Sequence, residues 1–361
     1  MTGAKRIRVL VVEDSAVQRE LQVHLLNSDP QREVVGTARD GREAIEQVRR
    51  CLPDVVTMDF HMPHLDGAAA TRIIMESQPV PIVVISGSSA QHEVAETFRA
   101  LDAGALVVIE KPYLPDSEAA RKMVETVKLM AEVKVVRRWP AAQTGKTAPA
   151  RSEPDPTAPV SLVAIGASTG GPLVLQTILA NLPRDFPVPV LIVQHISPGF
   201  TEGFTEWLAA ASGFPVQMAT QDSRLEPGRA YVAPDGLHMT VKDDGRGGHR
   251  IVLTGDEPEN GHRPSVSRLF NSVAGAVGDK AVGVLLTGMG KDGAAELGLL
   301  RRKGAVTIAQ SRESSVVAGM PGEAIRLDAA AHILAPAEIG GLLAILVKRR
   351  NGNSIHEPSK R

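Results

Sequence analysis

The chain has 361 residues, 43% of them hydrophobic and 22% charged, and 40 Lys and Arg against 41 Asp and Glu leave a formal net charge of −1. That length and composition allow two ordinary globular cores, and the near-neutral balance excludes a long-range electrostatic pull toward nucleic acid or anionic membrane. Cys51 is the sole cysteine, which excludes an intrachain disulfide and a cysteine-rich metal site and fits a reducing compartment.

The N-terminal "MTGAKRIRVLVVEDS" passes from basic residues straight into a strand pattern. It lacks the longer apolar region and small-residue cleavage site of a secretory signal. No uninterrupted apolar stretch approaches the roughly 20 residues of a membrane-spanning helix, so a soluble, cytoplasmic protein is expected. The apolar runs "IRVLVVED", "PDVVTMDF", "VPIVVISG" and "ALVVIEKP" then alternate with amphipathic stretches, the pattern of parallel strands covered by helices. Ser15-x-x-Gln18 is expected to open the helix "SAVQRELQVHLL", and Asp40 with Glu43 the helix "DGREAIEQV". A helix in "DSEAARKMVETVKLMAEVKVV", with Met123, Val124, Val127, Met130 and Val133 near helical spacing, is expected to close the first domain.

If these strands are parallel, Glu13, Asp14, Asp59, Ser86 and Lys111 meet at their carboxyl ends, where such sheets collect their chemistry. Clustered carboxylates repel one another unless a cation sits among them, and Mg²⁺ favours oxygen ligands of this kind. The expected metal ligands are therefore Glu13, Asp14 and Asp59. Asp59 could then act as a nucleophile toward a phosphoryl group, with Lys111 as a positive point charge and the Ser86 hydroxyl bonding the attached phosphoryl. Taken singly, each carboxylate also fits a helix cap or a strand end.

Together, "VVEDS", "VVTMDFHMPHLDG", "ISGSS" and "EKP" resemble a response-regulator receiver domain over residues 6–130. The resemblance implies a flavodoxin-like sheet, phosphorylation at Asp59, Mg²⁺ for that phosphorylation and a histidine kinase as phosphodonor. Receivers often carry Phe or Tyr three residues before the lysine. Here that position is Val108, so the aromatic reporter of phosphorylation is missing from its usual place.

From Pro140 to Pro159 the sequence holds five prolines and no Val, Ile, Leu or Phe. It cannot bury an apolar face, and residues 131–159 are expected to form a partly extended, mobile linker. A second domain then opens with the strand pattern "VSLVAIG".

That strand runs into "IGASTGGPL". The stretch lacks the lysine of a P-loop and the G-x-G-x-x-G of a dinucleotide site. It does match G-x-S-x-G at Gly166, Ser168 and Gly170, a strand-to-helix elbow that exposes the serine. Pro172 sits where a first helical residue would, and "PLVLQTILANL" continues at helical spacing. A serine hydroxyl needs a base oriented by a carboxylate. "VPVLIVQHISPGF" supplies His195 at the end of an apolar run, and "AVGVLLTGMGKDGAAELGLL" supplies Asp292 after another. Backbone N–H groups after Ser168 and in the Thr287-Gly288-Met289-Gly290 loop are candidate donors to an oxyanion.

Plainer readings stand beside these. Ser168 alone fits a turn or cap, His195 a satisfied strand-end histidine, and Asp292 an N-cap for "GAAEL". His238 in "VAPDGLHMTV" and His262 in "GHRPSV" are rival bases, although both sit amid turn residues whereas His195 ends a buried-looking run. "GHRPSVSRLF" could line a cleft through Arg263 and Ser265 or simply start a helix at Pro264.

Residues 160–346 resemble the catalytic domain of chemotaxis protein-glutamate methylesterases in "IGASTGGP", "VQHISPGFT", "EPGRAYVAPDGLHM", "HRPSVSRLF" and "LLTGMGKDGA". The resemblance implies Ser168 as nucleophile, His195 as general base and Asp292 as its orienting carboxylate. It places Thr169 and Met289 in the oxyanion and active-site surround and requires no cofactor for the esterase. Where that family usually has "RPSVD", Ser267 replaces the aspartate, which predicts a different substrate edge.

The expected fold is α/β: two doubly wound parallel-sheet domains, an N-terminal flavodoxin-like receiver and a C-terminal α/β methylesterase domain, followed by a loose polar tail over residues 347–361. The resemblance implies demethylation of glutamate methyl esters and deamidation of glutamines on a chemoreceptor's cytoplasmic helices. In this expectation the unphosphorylated receiver leans over the cleft and phosphorylation opens it. A binding regulator whose hydrolase half has become a docking surface is the alternative.

Overall fold

The computed structural model describes residues 6–87, 91–133, 135 and 159–352. Most of the expected linker, the end of the expected tail and Ser88 and Ser89 of "ISGSS" lie outside the described residues. The chain divides into two compact units, Met1–Lys146 and Thr147–Arg361.

The first unit runs β1 (Ile7–Val12), α1 (Ala16–Asn27), β2 (Arg32–Ala38), α2 (Gly41–Cys51), β3 (Val55–Asp59), α3 (Gly67–Ser77), β4 (Ile82–Ser86), α4 (Gln91–Asp102), β5 (Val107–Glu110) and α5 (Glu118–Met130). Its five strands pair in parallel in the order β2-β1-β3-β4-β5. The inner strands β3 and β4 are buried at every position, which is why they read as continuous apolar runs rather than alternating ones. The order turns back between β1 and β3, so the crevice at that switch point lies between the carboxyl ends that carry Glu13 and Asp59.

The helix starts follow their caps. Ser15 accepts from the Gln18 N–H at the head of α1, and Asp40 accepts from the Arg42 and Glu43 N–H groups at the head of α2. In α5 the buried stripe is Ala120, Met123, Thr126, Val127 and Met130. Val124 is half-buried, one residue off that stripe, and Val133 lies beyond the helix end.

The second unit runs β6 (Leu162–Ala167), α6 (Gly171–Ala180), β7 (Val190–Gln194), α7 (Thr201–Ser212), β8 (Val216–Met218), β9 (Ala230–Val232), β10 (His238–Asp243), β11 (His249–Thr254), α8 (Val266–Ala276), β12 (Ala281–Leu285), α9 (Ala294–Arg302), β13 (Val306–Gln310), α10 (Met320–Arg326), β14 (His332–Leu334) and α11 (Pro336–Gly352). Seven strands pair in parallel in the order β14-β13-β12-β6-β7-β9-β8. Helices α7 and α11 pack on α6, and α8 and α10 pack on α9, giving the two helical layers of a doubly wound sheet. Strands β10 and β11 form a separate antiparallel hairpin, tied to α8 by a hydrogen bond from the Val241 N–H to Ser272.

The chain leaves β6 toward β7 on one side and returns to β12 on the other, so the switch point lies between β6 and β12. Ser168 follows β6 directly, and the loop after β12 carries Asp292. Helix α11 continues to Gly352, past residue 346 where the polar tail was expected to begin. Val347 is fully buried and continues the i, i+4, i+8 stripe of Ile339 and Leu343, which carries the helix onward. Among the described residues no helix is long and apolar enough to cross a membrane.

Candidate functional site

In the first unit the strand ends gather five polar groups. Lys111 Nζ lies 2.8 Å from Asp59 Oδ2 and 3.0 Å from Glu13 Oε2. One oxygen from each of Glu13, Asp14 and Asp59 lies within 4.8 Å of the others. Glu13 and Asp59 are buried and Asp14 is exposed, so this all-oxygen donor set has an open side and suits a hard divalent ion that keeps part of its water. Burial and the nearby Asp59 charge push the Glu13 carboxyl up to about 7, against the opposing pull of Lys111. Burial alone would lower Lys111, but the hydrogen bond and charge of Asp59, joined by Glu13, hold it above the ordinary lysine value.

Ser86 ends β4, and its carbonyl accepts from the Lys111 N–H. Its hydroxyl is buried and lies 3.3 Å from the Thr97 hydroxyl of α4. Val108 is buried in β5, beside Val84 of β4. An aromatic does reach this edge from the other side of the lysine: the Tyr113 hydroxyl donates to the Gly87 carbonyl at 3.3 Å. Tyr113 follows Lys111 by two residues, so the spacing that singles out position 108 does not point to it.

In the second unit the pairing of β6 with β7 sets Ala167 opposite Gln194, and the His195 N–H donates to the Ala167 carbonyl at 2.9 Å. Ser168 and His195 are thus the first residues beyond neighbouring strands. The chain enters α6 through Gly170, in the left-handed region at φ 79°, with Pro172 in the first turn. Gln194 donates from one amide nitrogen to the carbonyls of both Ser168 and His195, at 2.8 Å each.

His195 Nε2 lies 3.0 Å from Asp292 Oδ2. The carboxylate also accepts from the Val266 N–H at 2.7 Å, the Ser267 N–H at 3.1 Å, the Ser265 hydroxyl at 3.0 Å and the Asn260 amide at 3.2 Å. It therefore sits on the N-terminus of α8, where the helix dipole and free N–H groups favour an anion. Burial alone would raise the Asp292 carboxyl, but the hydrogen bond and charge of His195, joined by Ser267 and the Val266 N–H, hold it well below the usual carboxylate range. With Nε2 turned to the carboxylate, the buried Nδ1 has no partner in the protein. The Ser168 hydroxyl does not bond it, so the structure pairs His195 with Asp292 and not with the serine.

The loop after β12 abuts the elbow. A Cβ on Gly288 would lie 2.6 Å from Ser168 Cβ, so only glycine permits this approach. The Ser168 N–H donates to the Thr287 carbonyl, and the Thr287 hydroxyl donates to the Thr169 carbonyl at 2.9 Å. Two of the expected oxyanion donors are spoken for: the Thr287 N–H goes to Gln310 Oε1 at 2.8 Å and the Gly288 N–H to the Val317 carbonyl at 2.9 Å. Thr169 lies next to the serine, and Met289, half-buried, and Gly290, exposed, complete the loop.

The plainer readings fare unevenly. Asp292 is not an N-cap, since Gly293 caps α9 and no side chain bonds there. His238 is buried at the head of β10, 3.1 Å from the Glu257 carbonyl. His262 is stacked on His195, with ring centroids 3.8 Å apart and planes 9° from parallel. Ser265 is the N-cap of α8 and belongs to the surroundings of Asp292, while Arg263 bonds the Gly255 and Asp256 carbonyls. The expectation that Ser267 alters a substrate edge is corrected. It is fully buried, donates to Glu296 at 2.7 Å and accepts from the Gly293 N–H. Gln194, Gln310 and Asn260 were missed, because nothing in their local sequence says which distant carbonyl, N–H or carboxylate they reach.

The family model described as CheB methylesterase matches residues 163–343, and that described as response regulator receiver domain matches residues 9–125. A protein-glutamate methylesterase/protein-glutamine glutaminase of Nitrosospira multiformis is 54% identical over 95% of this chain and 98% of its own length. One from Geobacter metallireducens is 54% identical over 95% of this chain and all of its own. The crystal structure of the Thermotoga maritima CheB methylesterase catalytic domain superposes with a TM-score of 0.51 at 36% identity, covering 52% of this chain and 99% of that one.

Proposed function

The chain belongs to the protein-glutamate methylesterase/protein-glutamine glutaminase family with a receiver domain, and from that premise we propose a phosphorylation-activated serine hydrolase of chemotactic adaptation. Its substrates are glutamate γ-methyl esters, and particular glutamines, on the cytoplasmic helices of chemoreceptors. The receiver spans residues 6–130, a linker 131–159 and the catalytic domain 160–352, to the end of α11, and the protein works in the cytoplasm. The single observation that carries the hydrolase reading is the 3.0 Å pair of His195 and Asp292, seated at the sheet's switch point beside the Ser168 elbow.

Ser168 Oγ attacks the ester carbonyl carbon while His195 Nδ1 takes the hydroxyl proton. The ionised Asp292 keeps Nε2 protonated and stabilises the imidazolium. Backbone N–H groups of Thr169 and Met289 face the developing oxyanion. Collapse of the tetrahedral intermediate releases methanol with the proton held by His195, and water attacks the acyl-enzyme by the same route. An amide follows the same path with ammonia leaving.

In the receiver, Asp59 takes a phosphoryl group from a histidine kinase. Glu13, Asp14 and Asp59 would hold Mg²⁺, which neutralises phosphoryl oxygens. Lys111 adds its fixed charge, and the Ser86 hydroxyl bonds the phosphoryl. Mass spectrometry of methylated receptor, before and after exposure to the protein with a small phosphodonor, tests the reading. Esters become acids, and faster with the donor. An intact receptor, or a rate indifferent to the donor and to Asp59→Asn, rejects the hydrolase or its gating respectively.

A further inference from the structure

The strand ladder ends just short of the two residues the reaction needs most. The His195 N–H to Ala167 carbonyl bond is the last between β6 and β7, so regular pairing positions neither the Ser168 nor the His195 peptide beyond it. Gln194, 4% exposed, supplies the connection. Its Nε2 donates one proton to the Ser168 carbonyl and the other to the His195 carbonyl, both at 2.8 Å. Only a primary amide offers two planar, uncharged donors on one atom. The neighbouring geometry favours that side chain: a Cβ on Gly171 would overlap Gln194 Oε1. Ser168's carbonyl already accepts from the Gly171 N–H at 2.8 Å, so the amide is not needed merely to satisfy that oxygen.

We propose that Gln194 is a positioning residue that fixes the separation of Ser168 from His195 by tying their carbonyls to one nitrogen. This inference rests on the hydrolase reading above and adds to it. Gln194 touches neither substrate nor the reacting atoms. It acts through the backbone that carries the nucleophile and the base, and loss of either bond lets the two drift apart without altering the surface that meets the receptor. Misplacement on the scale of 1 Å reduces turnover by about 100-fold.

The test is steady-state methanol release from methylated chemoreceptor in membranes by the full-length protein, comparing wild type, Ser168→Ala, Gln194→Met and Gln194→Glu, each with its thermal midpoint measured. Methionine keeps the length and removes both donors, and glutamate keeps the shape and offers at most one proton where the amide offers two. Both should lower kcat by about 100-fold and leave KM within about threefold, well below their melting temperatures. Undiminished kcat in either folded variant overturns the proposal, as does a rise in KM at constant kcat. Failure of both variants to fold assigns Gln194 a purely structural role and overturns it as well. A wild type that releases no methanol instead rejects the hydrolase reading, which separates the two failures.

Discussion

Asp292 meets His195 at 3.0 Å from the N-terminus of α8, with its carboxylate held by the Val266 and Ser267 N–H groups as well as by the imidazole. The anion is stabilised by the protein before any substrate arrives, so the imidazole is held in one orientation in advance. Replacing Asp292 with Asn removes the charge and permits the wrong tautomer. We expect kcat to fall by on the order of 10³ to 10⁴, read by ester hydrolysis at saturating substrate.

The same carboxylate makes a pH prediction. Its folded pKa lies below that of the unfolded chain, about 3.9, so the folded state binds fewer protons between the two values. The stabilisation is fully present above pH ~4 and is lost as pH falls through the folded value. The thermal midpoint of Asp292→Asn should therefore lie below wild type at pH 7, and the gap should narrow in acid. A gap that widens below pH ~4 contradicts the assignment of Asp292 as a stabilised anion.

Gly288 allows the β12 loop to touch the elbow. In Gly288→Ala the new methyl group meets Ser168 Cβ at 2.6 Å and Met320 Sδ at 2.5 Å, and either the nucleophile or the loop must shift. Turnover should drop at least tenfold, by the same logic of angstrom-scale misplacement, with binding of receptor measured by co-sedimentation unchanged.

In the acidic pocket the sign runs the other way. Glu13 is raised to about 7, so without metal it contributes stability that is present below pH ~4.3, its ordinary value, and is lost as pH rises through about 7. Mg²⁺ requires the ionised carboxylate. The rise in receiver thermal midpoint on adding Mg²⁺ should grow from pH 5 to pH 8, and Glu13→Gln should flatten that growth. Chelating the metal should return the wild type to its metal-free midpoint.

Ser267 is buried between Glu296 and the Asp292 pocket. Ser267→Asp would add a carboxylate beside both Glu296 and Asp292, and we expect a loss of about 3 kcal/mol, seen as a lower urea midpoint. Pairing it with Glu296→Gln should recover part of the loss, with the Asp292 charge still opposing the new carboxylate.

Much of this architecture is legible in the sequence because each inner strand is a continuous apolar run that stops at a polar residue. Parallel pairing then brings Asp59 to Lys111. Asp292 is harder to read, since its role depends on α8 arriving from another part of the chain to offer N–H groups. Gln194 and Gln310 are illegible for a related reason: an amide at a strand end looks ordinary until register shows which carbonyls and N–H groups face it. The β10–β11 hairpin, "LHMTVKDDGRGGHRIVLT", alternates clearly in its first strand, but its second strand runs Ile-Val-Leu without alternation and its tip is long and glycine-rich, unlike a two-residue hairpin turn. Ser267 departs from the family's motif at a position that sequence links to a substrate edge, yet its side chain is fully buried.

The central claim is that Ser168 is the nucleophile of an ester hydrolase, and methanol release by the Ser168→Ala variant tests it most directly. With the thermal midpoint of the wild type retained, the variant should release methanol from methylated receptor no faster than buffer. Turnover at the wild-type rate would contradict the account.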